Sequence, residues 1–486
     1  MAERAFFMGV IGQGEDFSFW NGYDNQMTHI STDLSRGNVL SQLVRFALPF
    51  LASNIIQSLY NVADMLIVGN FAGTESMSGV NIGGQVTFIL TNTVIGLCMG
   101  ATVLIGQYLG AGNQEALRRC TTTIITLLVI MAVIITGGML IFKGAVLQLI
   151  RTPAESYQES DRYLTVTVIG VLFIFGYNAL AGILRGMGNS RQPFYFIMIA
   201  CVTNIVLDLI FVVLFNWAAL GAALATVISQ ALCVVLCVIY MVRNDFQFDF
   251  KLRSFRIYRD QLILIFKIGL PTCIQNSVTS ISFLFITTIV NIVGGVSASA
   301  AVGAFGKFNS FAFMPTLAMS ASVSAMSAQN FGAGRVERAV YACRIGTVFS
   351  VIVTWAFFIL VMLSPEAVLR LFGDDPQMIQ DGVAYARSFA WDFLIIPFVF
   401  CINGFLIGGG HTFFTMLSSL LSSVILRVPV CYIFGISLGW GLRGVGLGAP
   451  VASAGVLLVI IVYLFTGKWK HNAIRHTQDQ PPGQTA

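Results

Sequence analysis

Twelve stretches of this 486-residue chain are apolar over more than 20 residues, at roughly 40–69, 80–109, 121–142, 163–185, 193–216, 219–242, 262–293, 301–331, 339–363, 383–408, 413–438 and 445–466. A helix needs about 20 residues to cross the hydrocarbon core of a bilayer. In that medium every backbone N–H and C=O must be bonded within the chain, so runs of this length predict transmembrane helices. Composition agrees: 56% of residues are hydrophobic and 10% charged, where a soluble domain carries about a quarter. The expected fold is an all-α polytopic membrane protein with 12 transmembrane helices.

The chain repeats itself. Leu48-Pro49 and Asn54 return 222 residues later as Leu270-Pro271 and Asn276. Gln107-x-x-Gly110-Ala-Gly112-x-x-Glu115 returns as Gln329-x-x-Gly332-Ala-Gly334-x-x-Glu337, Tyr163 as Tyr385, and Leu184-x-Gly186-x-Gly188 as Leu406-x-Gly408-x-Gly410. Trp217 and Gly221 match Trp440 and Gly444 at an offset of 223. A repeat of six spans brings the chain back to the same side, which predicts two parallel six-helix bundles related by an axis along the membrane normal. The domains read as an N-terminal polar extension at 1–37, expected to be disordered and with Met27 an alternative start, an N-lobe at 38–242, a basic linker at 243–261, a C-lobe at 262–466 and a tail at 467–486.

Lys and Arg fix an orientation. Of 27, the side bearing the termini and the linker takes 19, the opposite side 6, and two, Lys307 and Arg427, fall within spans. The positive-inside rule then places both termini in the cytoplasm of a multi-pass cell-membrane protein, the inner membrane if the source is bacterial. The basic residues sit at helix ends and predict no nucleic-acid partner. Nine cysteines without a Cys-x-x-Cys pair read as small buried side chains, and His29, His411, His471 and His476 are too scattered for a metal site. Five prolines inside spans, at 49, 271, 315, 397 and 429, permit kinks. Gly79-x-x-x-Gly83, Gly96-x-x-x-Gly100 and Gly106-x-x-x-Gly110 permit close helix approach.

Ionisable side chains inside a bilayer are costly and face a cavity or a partner. Asp64 lies about 7 to 8 Å from the outer end of the first span, Asp208 about 13 Å and Thr226 about 10 Å from theirs, at 1.5 Å per residue. Asn204 is four residues before Asp208 and shares its helix face. The four occupy one depth band of the N-lobe and could surround one polar pocket. Two carboxylates there repel each other and lose hydration, which favours uptake of H⁺; the carboxylate, amide and hydroxyl oxygens equally suit a hard monovalent cation such as Na⁺. Asp64 has Ile286 at its repeat position, and Lys307 has Gln85. In the C-lobe, Lys307, Asp392 and Arg427 are expected to form a structural ion pair or triad, with substrate contact as the competing role.

The Leu48-Pro49 opening, Asn61-Val-Ala-Asp64, Gln107-x-x-Gly110-Ala-Gly112, Leu184-Arg-Gly-Met-Gly188 and Asn204-Ile-Val-Leu-Asp208 together resemble the multidrug and toxic compound extrusion (MATE) transporters over residues 38–466. The resemblance implies twelve helices in two six-helix lobes around a central cleft and a secondary transporter that exports organic and often cationic drugs or metabolites in exchange for H⁺ or Na⁺; the chain is expected to act as a monomer, and the lack of paired metal ligands or a nucleophile–base constellation argues against an enzyme. The resemblance also implies an N-lobe cation site carried by Asp64, Asn204, Asp208 and Thr226. An acid that some members carry on the seventh helix has no counterpart in 275–280, and Asp392 lies near the tenth-helix acid of others without matching it. Competing expectations are a flippase for lipid-linked saccharides or peptides, which needs a cleft lined with many cations, and a channel, which needs a continuous polar pore.

Overall fold

The computed structural model describes residues 30–470 except 245, 247 and 249, and among them every regular element is helical. Met1, Met27, His29, His471, His476 and the tail beyond 470 lie outside the described residues. We number the helices by membrane passage: α1 (Val39–Phe71), α2 (Gly73–Gly110), α3 (Gln114–Leu149), α4 (Ala154–Ile169 with Val171–Gly186), α5 (Arg191–Leu214) and α6 (Ala218–Arg243). The second half begins as one run, Arg259–Gly332, whose backbone leaves the helix at Gly295 (φ 61°, ψ −141°).

That run is a hairpin. As one straight helix of 74 residues it would measure ~110 Å at 1.5 Å per residue. Yet Ile265 and Gly269 near its start pack against Gly100, and Ala328 and Gln329 near its end pack against Gly106 and Gly110, all in one half of α2. Gly295 therefore separates α7 (259–294) from α8 (296–332). Then follow α9 (Val336–Leu363), α10 (Pro376–Phe389 with Asp392–Gly408), α11 (Thr412–Ser437) and α12 (Gly441–Phe465), so the described residues make twelve passes. Helices 2, 3 and 10 begin seven residues ahead of the apolar runs that predict them, because amphipathic turns extend the helices beyond the bilayer core.

The large bends do not fall at the prolines. Pro49, Pro271, Pro315 and Pro397 lie inside helices, whereas α4 bends by 49° at Gly170 and α10 by 51° at Ala390–Trp391. The two bends fall within two residues of each other under the repeat offset of 222, and Gly170 lies directly against Val227 of α6. The three Gly-x-x-x-Gly pairs do mark close approaches: Gly79 and Gly83 seat α4 at Glu159 and Tyr163, Gly96 and Gly100 seat α7, and Gly106 and Gly110 seat α8.

The two bundles meet tightly on the linker side. Gly110 lies against the Gln329 backbone and Gly332 against that of Gln107, so close that a Cβ on either would collide with a carbonyl. Gln107 Nε2 donates to Gly408 O across the interface (2.8 Å), and Gln329 Nε2 donates back to Gly186 O (3.4 Å). Residues 30–37, expected to be disordered, instead strap the bundles together on this side. Thr32 N donates to Met187 O (2.9 Å) in the first half, while Leu34 N donates to Gln329 Oε1 (2.8 Å) and Arg335 donates to Ser35 O (2.6 Å) in the second. Hydrogen bonds to both halves, inside a dry interface, outweigh the entropy of ordering eight residues.

On the far side the inward helices present exposed polar groups: Gln57 and Asn61 on α1, Asn81 and Gln85 on α2, Ser280 and Thr287 on α7, Lys307 and Ser310 on α8. The bundles are thus sealed against each other at the linker side, and the exposed polar groups lie at the far side. Replacing Gly110 with Ala is expected to force the seal apart, costing ~1–3 kcal/mol as overpacking of a tight contact does. Thermal unfolding should show the loss, and spin labels at the linker ends of α2 and α8 should show a longer distance; an unchanged distance would place the seal elsewhere.

Candidate functional site

The pocket begins with α1, which packs against α5 and α6. Asp64 faces inward on α1, four residues after Tyr60 and four before Val68, which is fully buried. On α5 the pair Asn204 and Asp208 faces the same way. Immediately after Asp208 the helix widens into a π-helical segment, Leu209–Leu214, a departure that recurs at functional positions in helices. The segment ends on Trp217, stacked on Phe211 at 5.4 Å, and Gly221 of α6 lies against Phe211. Thr226 follows on the buried face of α6.

The structure therefore brings together all four residues that the sequence singles out in the N-lobe. Asp64 is 8% exposed, Thr226 7%, and Asn204 and Asp208 are fully buried. No salt bridge reaches either carboxylate among the described residues. Asp64 Oδ1, both Asp208 oxygens, both polar atoms of Asn204 and Thr226 Oγ1 are buried without a hydrogen-bond partner, as is Gln230 Oε1 one turn beyond Thr226. Buried polar atoms are ordinarily bonded, and each orphan costs ~1–3 kcal/mol. These orphans include six acceptor oxygens, three of them on the two uncompensated carboxylates, a polar set whose chemistry suits a proton or a small hard cation. No cluster of three or more His, Cys, Asp or Glu side chains suited to a metal occurs among the described residues, which distinguishes this oxygen pocket from a transition-metal centre.

Two further groups border the pocket. The phenols of Tyr60 and Tyr163 lie within electrostatic reach of both Asp64 and Asp208 and face Thr226, though Thr226 Oγ1 closes no hydrogen bond with them. Tyr60 was legible as the residue one turn before Asp64 on the same face. Tyr163 recurs as Tyr385 in the repeat, but only the fold of α4 onto Gly83 places it here.

The MatE family profile matches residues 49–210 and again 271–433, one copy per half. The chain belongs to the MatE family. Among curated relatives it is 26% identical to the probable multidrug resistance protein YpnP of Bacillus subtilis, over 90% of this chain and 97% of that one. It is 26% identical to the probable multidrug resistance protein NorM of Thermotoga maritima, over 90% and 94%. Among solved structures, an outward-facing multidrug resistance MATE family transporter superposes with a TM-score of 0.85 at 24% identity, covering 92% of this chain and all of the other. A MOP superfamily transporter from Pyrococcus furiosus, described as having a binding pocket of reversed polarity, fits equally well at 0.85. At these identities the superpositions establish the shared twelve-helix fold.

The MatE chain departs from expectation in its C-lobe, where the ion pair or triad of Lys307, Asp392 and Arg427 does not form. Among the described residues none of the three makes a salt bridge. Asp392 is 3% exposed and opens the second segment of α10, next to Ser453. A helix N-terminus favours a carboxylate without any cation. Arg427 instead lies over the rings of Phe283 (5.0 Å) and Phe389 (5.9 Å), and Lys307 stands exposed on α8.

Asn204→Leu removes two orphan polar atoms at similar volume. We expect it to raise thermal stability in ion-free detergent by ~1–3 kcal/mol while weakening stabilisation by added Na⁺ or H⁺. Thermal unfolding with and without the ions measures both, and a destabilised variant would mean that Asn204 is satisfied in the protein in solution.

Proposed function

We propose that this chain is a secondary transporter that exports organic drugs or metabolites in exchange for H⁺ or Na⁺, with Asp64, Asn204, Asp208 and Thr226 as the coupling site. The observation that carries this reading is the set of unpaired acceptor oxygens around two carboxylates that lack any counter-ion. The relatives named as multidrug resistance proteins support the substrate class. The excess of Lys and Arg on the linker side, 19 against 6, supports cytoplasmic termini, so the far side, with its exposed polar groups, faces outward.

The cycle follows from those features. In the outward-open state the pocket in the N-lobe takes up the cation, which relieves the repulsion between Asp64 and Asp208. Loading lowers the free energy of a state in which α1, α5 and α6 close around the pocket, and substrate leaves the cleft outward. Return to the inward-open state requires Gln107 and Gln329 to release their carbonyls across the linker-side seal. Cation release to the cytoplasm restores the repulsion, and substrate binding on that side resets the cycle. Coupling of this kind needs only that the two ligands prefer different states. Lys307, exposed on the cleft helix α8, is then a substrate contact. A channel would need a polar path through the linker side, where Gly110 and Gly332 close the backbones on each other. A flippase for lipid-linked saccharides would need far more cations along the cleft than Lys307 and Arg427.

Proteoliposomes carrying the purified protein, with Na⁺ and H⁺ gradients imposed separately and a fluorescent organic substrate followed, test the reading. Export should follow one of the two gradients and vanish in Asp64→Asn with substrate binding retained. Gradient-driven export that survives in Asp64→Asn would remove this residue from the coupling site.

A further inference from the structure

The repeat lets the N-lobe pocket be mapped onto the C-lobe residue by residue. In α5 and α6 the register is set by Gly221 against Phe211, and its counterpart in α11 and α12 is Gly444 against Phe434, an offset of 223 in both members. In α1 to α4 the offset is 222, as Tyr163 and Tyr385 show. Asp64 therefore maps to Ile286, Asn204 to Arg427, Asp208 to Cys431 and Thr226 to Ala449, while Tyr163 keeps its hydroxyl as Tyr385. Every cation ligand of the first lobe is gone, and a fixed cation stands in the second. The charge of the pocket is inverted.

Arg427 closes a π-helical segment, Leu421–Arg427, that has no counterpart in α5, while the π-segment after Asp208 is repeated as Ile433–Ser437 after Cys431. Arg427 is four residues before Cys431, which is 1% exposed, so it points to the lobe interior. Phe283, about half exposed, and Phe389, buried, flank its guanidinium, and the Tyr385 hydroxyl lies beside it. The nearest acid by sequence and field, Asp392, stays outside salt-bridge distance. The guanidinium sits over two aromatic rings beside a tyrosine hydroxyl, and its N–H fork is the donor set that matches a carboxylate. A cation this deep in a membrane protein is costly without an anion, and the fold supplies none at contact.

We propose that the C-lobe counterpart of the acid pocket is an anion site, in which Arg427 receives either a carboxylate of the exported substrate or a free inorganic anion. This extends the export reading by giving one substrate group a negative charge beside an aromatic surface, Phe283. It does not depend on ion coupling, because it concerns binding at the other lobe.

The test is thermal unfolding of the full-length purified protein in detergent, at constant Na⁺ and ionic strength, with benzoate, benzamide, benzylamine or chloride added. Benzoate should stabilise the protein in a saturable way, as a ligand of the folded state does, and benzamide and benzylamine should not. Arg427→Gln should lose ~10-fold or more of the apparent benzoate affinity, the loss expected for one charged hydrogen-bonded contact. If that variant does not fold, Arg427→Lys should bind benzoate weakly, and Ile286→Asp, which restores a carboxylate where Asp64 stands in the other lobe, should abolish the benzoate shift. Chloride that reproduces the shift and suppresses that of benzoate identifies a free anion as the occupant; a benzoate shift indifferent to chloride identifies the substrate carboxylate. In Asp208→Asn the benzoate shift should persist whether or not ion-driven export survives. Equal stabilisation by benzamide, or an undiminished shift in Arg427→Gln, overturns the proposal.

Discussion

The structure depends on the contact between α2 and α8 at Gly110 and Gly332. Each glycine lies against the backbone of a glutamine on the other helix, Gly110 on Gln329 and Gly332 on Gln107, an approach that a Cβ on the glycine would block, and the same two glutamines donate to carbonyls at the ends of α10 and α4. Both bonds cross the interface in a region that excludes water, where an unmade hydrogen bond is expensive. The contact is therefore close to all-or-none. It holds the bundles together at one end and sets the axis that relates them. A seal built from a few desolvated hydrogen bonds and a short strap is strong enough to define a state and small enough to be exchanged for an equivalent one.

The acid pocket is placed by the same logic of scarcity. In lipid-exposed surroundings a carboxylate has no water and no stable neutral partner, so it must lie inside the lobe, and the packing of α1 on α5 and α6 provides that interior. The lobe then bears the cost of several unpaired oxygens in the absence of a ligand. A fold can retain such a cost where a ligand's binding energy offsets it, whereas the half-buried Asp161 at the rim of the same lobe has its donor in Lys143 at 2.7 Å.

Much of this was legible in the residues. Apolar runs of membrane-spanning length located the twelve passes, the recurring Leu-Pro and Gln-x-x-Gly-Ala-Gly stretches exposed the duplication, and simple rise per residue put Asp64, Asn204, Asp208 and Thr226 at one depth. Other features depend on tertiary contacts that no local pattern encodes. The bends at Gly170 and Ala390–Trp391 arise from packing of α4 and α10 on their neighbours, and not from the prolines that local stereochemistry singles out. The segment 30–37 is polar and short, so its composition suggested disorder; its order comes from Gln329, Arg335 and Met187, distant in the chain. The C-lobe charges were misread for a related reason. Opposite charges in one apolar lobe suggest an ion pair, but Asp392 stands at a helix N-terminus with Oδ1 unpartnered and Arg427 lies over two aromatic rings, and the two stay outside salt-bridge distance.

Duplication explains how one fold can carry two unlike pockets. Two lobes of the same backbone must pack against each other through the same seal, which constrains α2, α8 and their glutamines to stay alike. The interiors behind α1 and α7 carry no such constraint. Substitution there changes the ligand a lobe accepts without changing how the lobes meet: Ile286, Arg427, Cys431 and Ala449 stand on the same frame as Asp64, Asn204, Asp208 and Thr226. On the proposed reading, a transporter with two acid pockets would load two ions per cycle, and the absence of the second set of ligands confines ion-dependent bias to one lobe and leaves the other free for a ligand of opposite charge. The frame is conserved between the halves where they touch, and the chemistry diverges where they do not.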